Sequence, residues 1–165
     1  MPDILFNILF DILKGDDNME EIQQLLSRSF IGEAQAHLLY FFFAHKAEEE
    51  INLASSAEVV ALLKEAATLF REFSEQEKFH AYTYLNLSGG IGDTVQNLQD
   101  AIESENKDFL SYTDIAATAR AMGQEQIARS FERIASVEKR HAAQYQSVLQ
   151  RLQGIMVDER LEKYK

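Results

Sequence analysis

Glu77-Lys78-Phe79-His80-Ala81-Tyr82-Thr83-Tyr84 and Glu138-Lys139-Arg140-His141-Ala142-Ala143-Gln144-Tyr145 are nearly one octapeptide written twice, E-K-x-H-A-x-x-Y. On a helix, a glutamate and a histidine three apart project from one face. Each copy is preceded by a further carboxylate in a small-residue setting, Gly32-Glu33 before the first and Ser104-Glu105 before the second. Oxygen donors with one imidazole apiece suit iron or manganese, which keep such ligands through a change between divalent and trivalent states. The six residues therefore read as two half-sites of one metal centre.

The helical phase around them supports that reading. One apolar seam runs Ile127, Phe131, Ile134, then Glu138 and His141, then Tyr145, Val148 and Leu152, spaced alternately by four and three. A second runs Leu63, Ala66, Phe70, Phe73, then Glu77 and His80, then Tyr84 and Leu87. In both, the Glu-x-x-His pair stands where a helical bundle wants hydrophobes. Leu98, Ile102, Glu105, Asp108 or Phe109, and Tyr112 repeat the intrusion on a third helix, and Leu26, Phe30, Glu33 and Tyr40 on a fourth. Gathering these carboxylates in a core costs several kcal/mol per ionised group unless cations neutralise them. A bundle with one Glu from each of two helices and Glu-x-x-His from each of the other two is the general di-iron or di-manganese arrangement.

Four long helices are expected to carry these residues, at about 18–53, 56–87, 94–122 and 124–153. Asp17-x-x-Glu20 and Ser55-x-x-Glu58 have the form of capping boxes, Asp93 or Thr94 can cap the third helix, and Gly123 ends it. Ser88-Gly89-Gly90-Ile91-Gly92 is the crossing between halves. If facing residues stand at one height on two arms of a hairpin, the turn lies midway between them. The midpoint of Glu33 and Glu77 is residue 55, and that of Glu105 and Glu138 falls beside Gly123; both are expected turns. The first pair is 44 residues apart and the second 33, so the first hairpin should project further. Its tip carries Glu48-Glu49-Glu50, read as a solvated face.

A chain of 165 residues with 46% hydrophobic residues, one Pro and seven Gly is one mostly helical domain, 17–154, with an apolar N-terminal segment, 1–16, and a C-terminal tail, 155–165. The fold class expected is all-α, an antiparallel four-helix bundle with a long crossover and an extra short N-terminal helix. A net charge of −11 argues against a nucleic-acid partner. The absence of cysteine excludes disulfides, thiol catalysis and cysteine-ligated iron or zinc within the chain, so electrons must reach the site from another molecule. Asp3 and Asp11 stand where a signal peptide needs basic and then apolar residues, giving a cytoplasmic expectation. Residues 1–14 are apolar around most of a short helix, and docking on the bundle or a second subunit is favoured over a membrane surface, since only Lys14 could greet anionic lipid. Phe41-Phe42-Phe43 is read as core or dimer packing rather than as a channel lining.

The chain resembles the rubrerythrins of the ferritin-like superfamily. The similar stretches are Gly32-Glu33-Ala34-Gln35-Ala36 with Tyr40, Glu77 to Ala81, Ile91-Gly92-Asp93-Thr94 running into Asn97 to Asn106, and Gly123 to Tyr145. The resemblance spans about residues 20 to 150. It implies a ferritin-like bundle holding two iron ions, with manganese or a mixed pair as the variant, that reduces hydrogen peroxide to water. Glu77 and Glu138 would bridge the metals, His80 and His141 bind one each, and Glu33, Glu105 and Asp108 serve as terminal ligands. Asp108 stands where the family carries an extra glutamate, and its reach is shorter. Ala36 stands at the matching place on the first helix, which makes the site asymmetric. Without cysteines the chain looks like a rubredoxin-free member, supplied by an external donor such as a rubredoxin or its reductase. Tyr40 and Tyr112, each seven residues after its glutamate, could hydrogen-bond the ligand shell or simply pack. The assembly expected is a homodimer, with exchange of helices between subunits open to it. Iron oxidation for storage, oxygen-dependent oxidation of an organic substrate, and a non-enzymatic metal-binding interaction role compete with peroxide reduction.

Overall fold

A computed structural model describes residues 16–162, and the side chains of 18–155. The described residues form four α-helices: α1 (Asp16–Ile51), α2 (Ala57–Leu87), α3 (Thr94–Ala121) and α4 (Glu125–Glu162). The all-α class is as expected, and the expected boundaries hold to within two residues except at the end of α4. That helix continues past 153 because the sequence beyond Gly154 offers no proline or strong breaker to stop it. The apolar segment expected at the N-terminus lies outside the described residues, save for the start of α1. The chain divides between Ile91 and Gly92 into two compact units. Each is an antiparallel helical hairpin, α1 with α2 and α3 with α4.

Local sequence sets the turns. In the first hairpin Ser56, not Ser55, caps α2, its Oγ accepting from the Val59 N–H at 3.2 Å. The capping oxygen must stand three residues before the N–H it satisfies, and with α2 starting at Ala57 that position is Ser56. In the second hairpin Asp93 caps α3 by accepting from the Gln96 N–H at 2.9 Å. Gly123 follows α3 in the left-handed region, φ 74°, where the absence of a Cβ removes the steric penalty. The first hairpin extends about 28 Å beyond its own Glu33 and Glu77, and the second about 22 Å beyond its Glu105 and Glu138, from helix lengths at 1.5 Å per residue.

Small residues join the two arms of each hairpin. Ala67, Ser74 and Ala81 recur at intervals of seven along α2 and are buried with Ala44 and Ala47 of α1. Along α4, Ala128, Ala135, Ala142 and Leu149 keep the same interval, against Ala116 and Ala119 of α3. A seven-residue repeat keeps one narrow stripe facing a neighbouring helix, and alanine lets the backbones come close. The bulky seam is a different stripe. Phe73, Ile127, Ile134 and Val148 remain between 41% and 47% exposed, so they are not what closes either hairpin.

Candidate metal centre

The same helical phase that buries Ser74 and Ala81 turns Glu77 toward α1, and that burying Ala135 and Ala142 turns Glu138 toward α3. In the first hairpin Glu33, Glu77 and His80 each place a ligand atom within 4.8 Å of the other two. His80 Nδ1 lies 2.8 Å from Glu77 Oε2. In the second, Glu105, Glu138 and His141 make the matching group under the same limit. His141 Nδ1 lies 3.0 Å from Glu138 Oε2 and 3.5 Å from Glu105 Oε2. The carboxylates point inward and the imidazoles are more open: side-chain exposure is 18% for Glu138 and 21% for Glu77, but 50% for His80.

The electrostatics of both groups call for a cation. The Glu33 carboxyl is held above its ordinary value chiefly by the hydrogen bond it shares with Glu77, then by burial and the Glu77 charge, while His80 opposes the shift. Glu105 is raised first by burial, then by its hydrogen bond with Glu138 and that group's charge, with His141 opposing. A carboxylate beside another binds a proton more tightly than one standing alone. A divalent ion takes the place of that proton and repays the desolvation. Two oxygens and one imidazole nitrogen per hairpin, with no thiolate, form a donor set that fits iron or manganese.

The other residues singled out by the sequence fall around these groups. Asp108 is half-buried on α3, one turn beyond Glu105, and is not in the three-residue group. The Tyr40 ring packs near Phe43 and Phe70, at 6.4 and 6.3 Å between centroids, and Tyr112 meets Phe131 edge-on at 5.6 Å. Outside that set, His45 is exposed, with its ring against Phe41 and Nδ1 3.6 Å from Glu48. Of the Phe run, Phe43 leans on Phe70, while Phe42 is 59% exposed.

One feature escapes sequence reasoning. His37 Nδ1 lies 2.9 Å from both the Ser74 carbonyl and Ser74 Oγ, and Ser74 Oγ donates to the His37 carbonyl at 2.9 Å. This brace ties α1 to α2 one turn from Glu33 and Glu77. The only signal for it in the sequence was a serine interrupting the seven-residue alanine stripe.

The family model described as Rubrerythrin matches residues 96–165, which include Glu105, Glu138 and His141. Over 152 residues the chain is 34% identical to Rubrerythrin of Porphyromonas gingivalis, covering 84% of this chain and 70% of that protein. The chain belongs to the rubrerythrin family. Rubrerythrin-1 of Clostridium acetobutylicum is 29% identical over 168 aligned positions, which cover 91% of this chain and 78% of that one. Membership in the rubrerythrins brings a ferritin-like helical fold, iron binding and oxidoreductase chemistry. No helix among the described residues is long and apolar enough to cross a membrane.

Proposed function

We propose that this rubrerythrin is a cytoplasmic di-iron peroxidase that reduces hydrogen peroxide to water with electrons from a separate donor, residues 17–154 being the working domain. The observation that carries the reading is the pair of matching clusters, each with two carboxylates and one imidazole within 4.8 Å. Glu33, Glu77 and His80 would hold one ion, and Glu105, Glu138 and His141 the other. Asp108, one turn beyond Glu105, would serve as an added carboxylate. Two ferrous ions, if held by these residues, would supply the two electrons that, with two protons, convert one peroxide into two waters.

The protein's own groups fix where that chemistry happens. Glu77 and Glu138 hold the imidazole Nδ1 atoms toward the carboxylates at 2.8 and 3.0 Å, which sets ring orientation before any ion arrives. Glu33 and Glu105 hold their protons more tightly than free carboxyls do, so ion uptake would compete with protonation. The chain has no cysteine and holds no iron–sulfur relay of its own. Electrons would come from a separate donor, such as a rubredoxin or its reductase.

The test is an anaerobic Fe(II) titration of the metal-free protein, followed by rapid mixing of the loaded form with peroxide or with oxygen. Saturation near two irons per chain, with peroxide much the faster oxidant, supports the peroxidase. Uptake well beyond two would replace it with iron storage, and faster reaction with oxygen with an oxidase. No uptake refutes the metal centre.

A further inference from the structure

We infer that His37 and Ser74 are positioning residues of the first half-site and make the two half-sites unequal, so that Glu33, Glu77 and His80 take an ion ahead of Glu105, Glu138 and His141. This rests on the proposed metal centre and adds to it an order of filling. Each of the two residues bonds to the backbone of the other helix. His37 Nδ1–H donates to the Ser74 carbonyl at 2.9 Å, and Ser74 Oγ–H donates to the His37 carbonyl at 2.9 Å. A reciprocal pair of this kind fixes both the separation of the two backbones and their relative height, because neither carbonyl can slide along its helix without breaking a bond. Glu33 stands one turn before His37, and Glu77 one turn after Ser74. In antiparallel helices that puts both carboxylates on the same side of the brace. A slip of one residue between α1 and α2 would carry Glu33 past Glu77 by about 1.5 Å, whereas metal–ligand distances hold to about 0.2 Å.

The second hairpin lacks the device at the same register. His37 stands four residues after Glu33 and Ser74 three before Glu77; the residues so placed about Glu105 and Glu138 are Phe109 and Ala135. Ala135 and Ser74 are buried alike, at 3% and 2% exposure, so the places correspond in packing as well as in count. The Phe109 side chain has nothing to donate or accept, and the Lys139 ammonium lies 5.1 Å from its ring centroid. Phe109 and Ala135 border an open cavity of about 420 Å³ together with Thr113, Ser136 and Lys139. Packing alone sets the height of α3 against α4 there, and apolar packing has no direction. Side-chain rotation brings His141 Nδ1 within 3.5 Å of Glu105, but it does not fix the backbones that carry the two groups. An ion entering the second half-site must order it, at a cost in affinity, while one entering the first finds its carboxylate-bearing helices already held. Partners that touch metal ligands change affinity by about 10–100-fold; His37 and Ser74 act through the backbone, which puts their effect at the lower end, about tenfold.

The experiment follows the imidazole nitrogens by NMR while zinc, a redox-inactive ion that takes the same donors, is added to metal-free protein carrying isotopically labelled histidines. In the wild type the His80 ring should shift before that of His141; a tenfold preference puts about three-quarters of the first equivalent on the first half-site. Ser74→Ala and His37→Ala should each bring the two shifts together. His37→Asn, whose amide N–H stands as many bonds from the backbone as Nδ1, should restore the order, which a merely structural role would not require. The reverse transfer tests the cause directly: Phe109→His with Ala135→Ser gives the second hairpin the same pair and should tighten its ion about tenfold, erasing the preference with the first hairpin untouched. A wild type whose two rings shift together, or whose His141 shifts first, overturns the inference. So does an order unchanged in Ser74→Ala or in the folded transfer variant. A folded wild type in which neither ring shifts even with zinc in excess removes the metal centre itself, and this inference with it.

Discussion

Replacing Ser74 by alanine should destabilise the metal-free protein by about 1 kcal/mol. Ser74 is 2% exposed and is the one buried polar side chain among the described residues. Two groups on His37 and two on Ser74 fix the proton positions: the Ser74 carbonyl can only accept, so His37 carries its proton on Nδ1, and Ser74 Oγ–H is then directed to the His37 carbonyl. Each bond contributes about 0.5–1.5 kcal/mol net. Ser74→Ala removes the hydroxyl bond and leaves the Nδ1–H bond in place. His37→Ala removes the other and the ring's packing, for about 2 kcal/mol. Because Nδ1 also lies 2.9 Å from Oγ, the two substitutions should not add, and a double-mutant cycle should give a coupling of about 0.5–1 kcal/mol. Urea denaturation followed by far-UV circular dichroism measures all four corners of the cycle. Additivity to within about 0.3 kcal/mol, or a neutral Ser74→Ala, would mean that the brace does not hold α1 to α2 in solution.

Ser56→Ala should cost about 1 kcal/mol and Ser55→Ala only a few tenths, since a single side chain accepts from the Val59 N–H; urea midpoints distinguish the two. Gly123→Ala should destabilise by about 1 kcal/mol for backbone reasons alone, because an added Cβ there meets no atom within 4 Å while φ is 74°. Glu33 and Glu105 have carboxyl pKa values raised by folding, so their contribution to stability is lost as pH rises through those values and regained on acidification, complete by the ordinary value of 4.5. Below 4.5 the lowered carboxyls of Glu75, Glu125 and Glu132 act with the opposite sign. Calorimetry of the metal-free protein should therefore show Tm rising on moderate acidification, and Glu33→Gln with Glu105→Gln should flatten that rise; an unchanged slope would contradict the shared-proton picture. If Glu138 holds an ion as proposed, Glu138→Ala should abolish tight uptake of one ion per chain by isothermal calorimetry while helicity is retained, since it also removes the carboxylate 3.0 Å from His141 Nδ1.

The helices and both clusters were legible because their signals are local. A Glu-x-x-His on a helix puts two ligands on one face by geometry alone, and the midpoint of each facing pair fell at the turns 52–56 and 122–124. Asp93 and Gly123 announced a start and a stop by residue type. Ser56 was missed by one place because Ser55 and Ser56 carry the same chemistry, and only the first helical residue decides which is the cap. The alanine stripes at intervals of seven were visible as text, but the larger side chains beside them drew the seam toward Phe73, Ile127 and Ile134.

The sequence by itself therefore determined the four helices, their pairing into two hairpins and the six residues that gather into the two clusters, since periodicity, caps and spacing act within a few turns of chain. Tertiary structure alone decided which stripe closes each hairpin, that His37 and Ser74 brace the first, and that each imidazole turns its Nδ1 to a carboxylate. Those outcomes depend on how closely two backbones approach. Small side chains allow an approach that larger neighbours do not, and no one-dimensional pattern contains that distance.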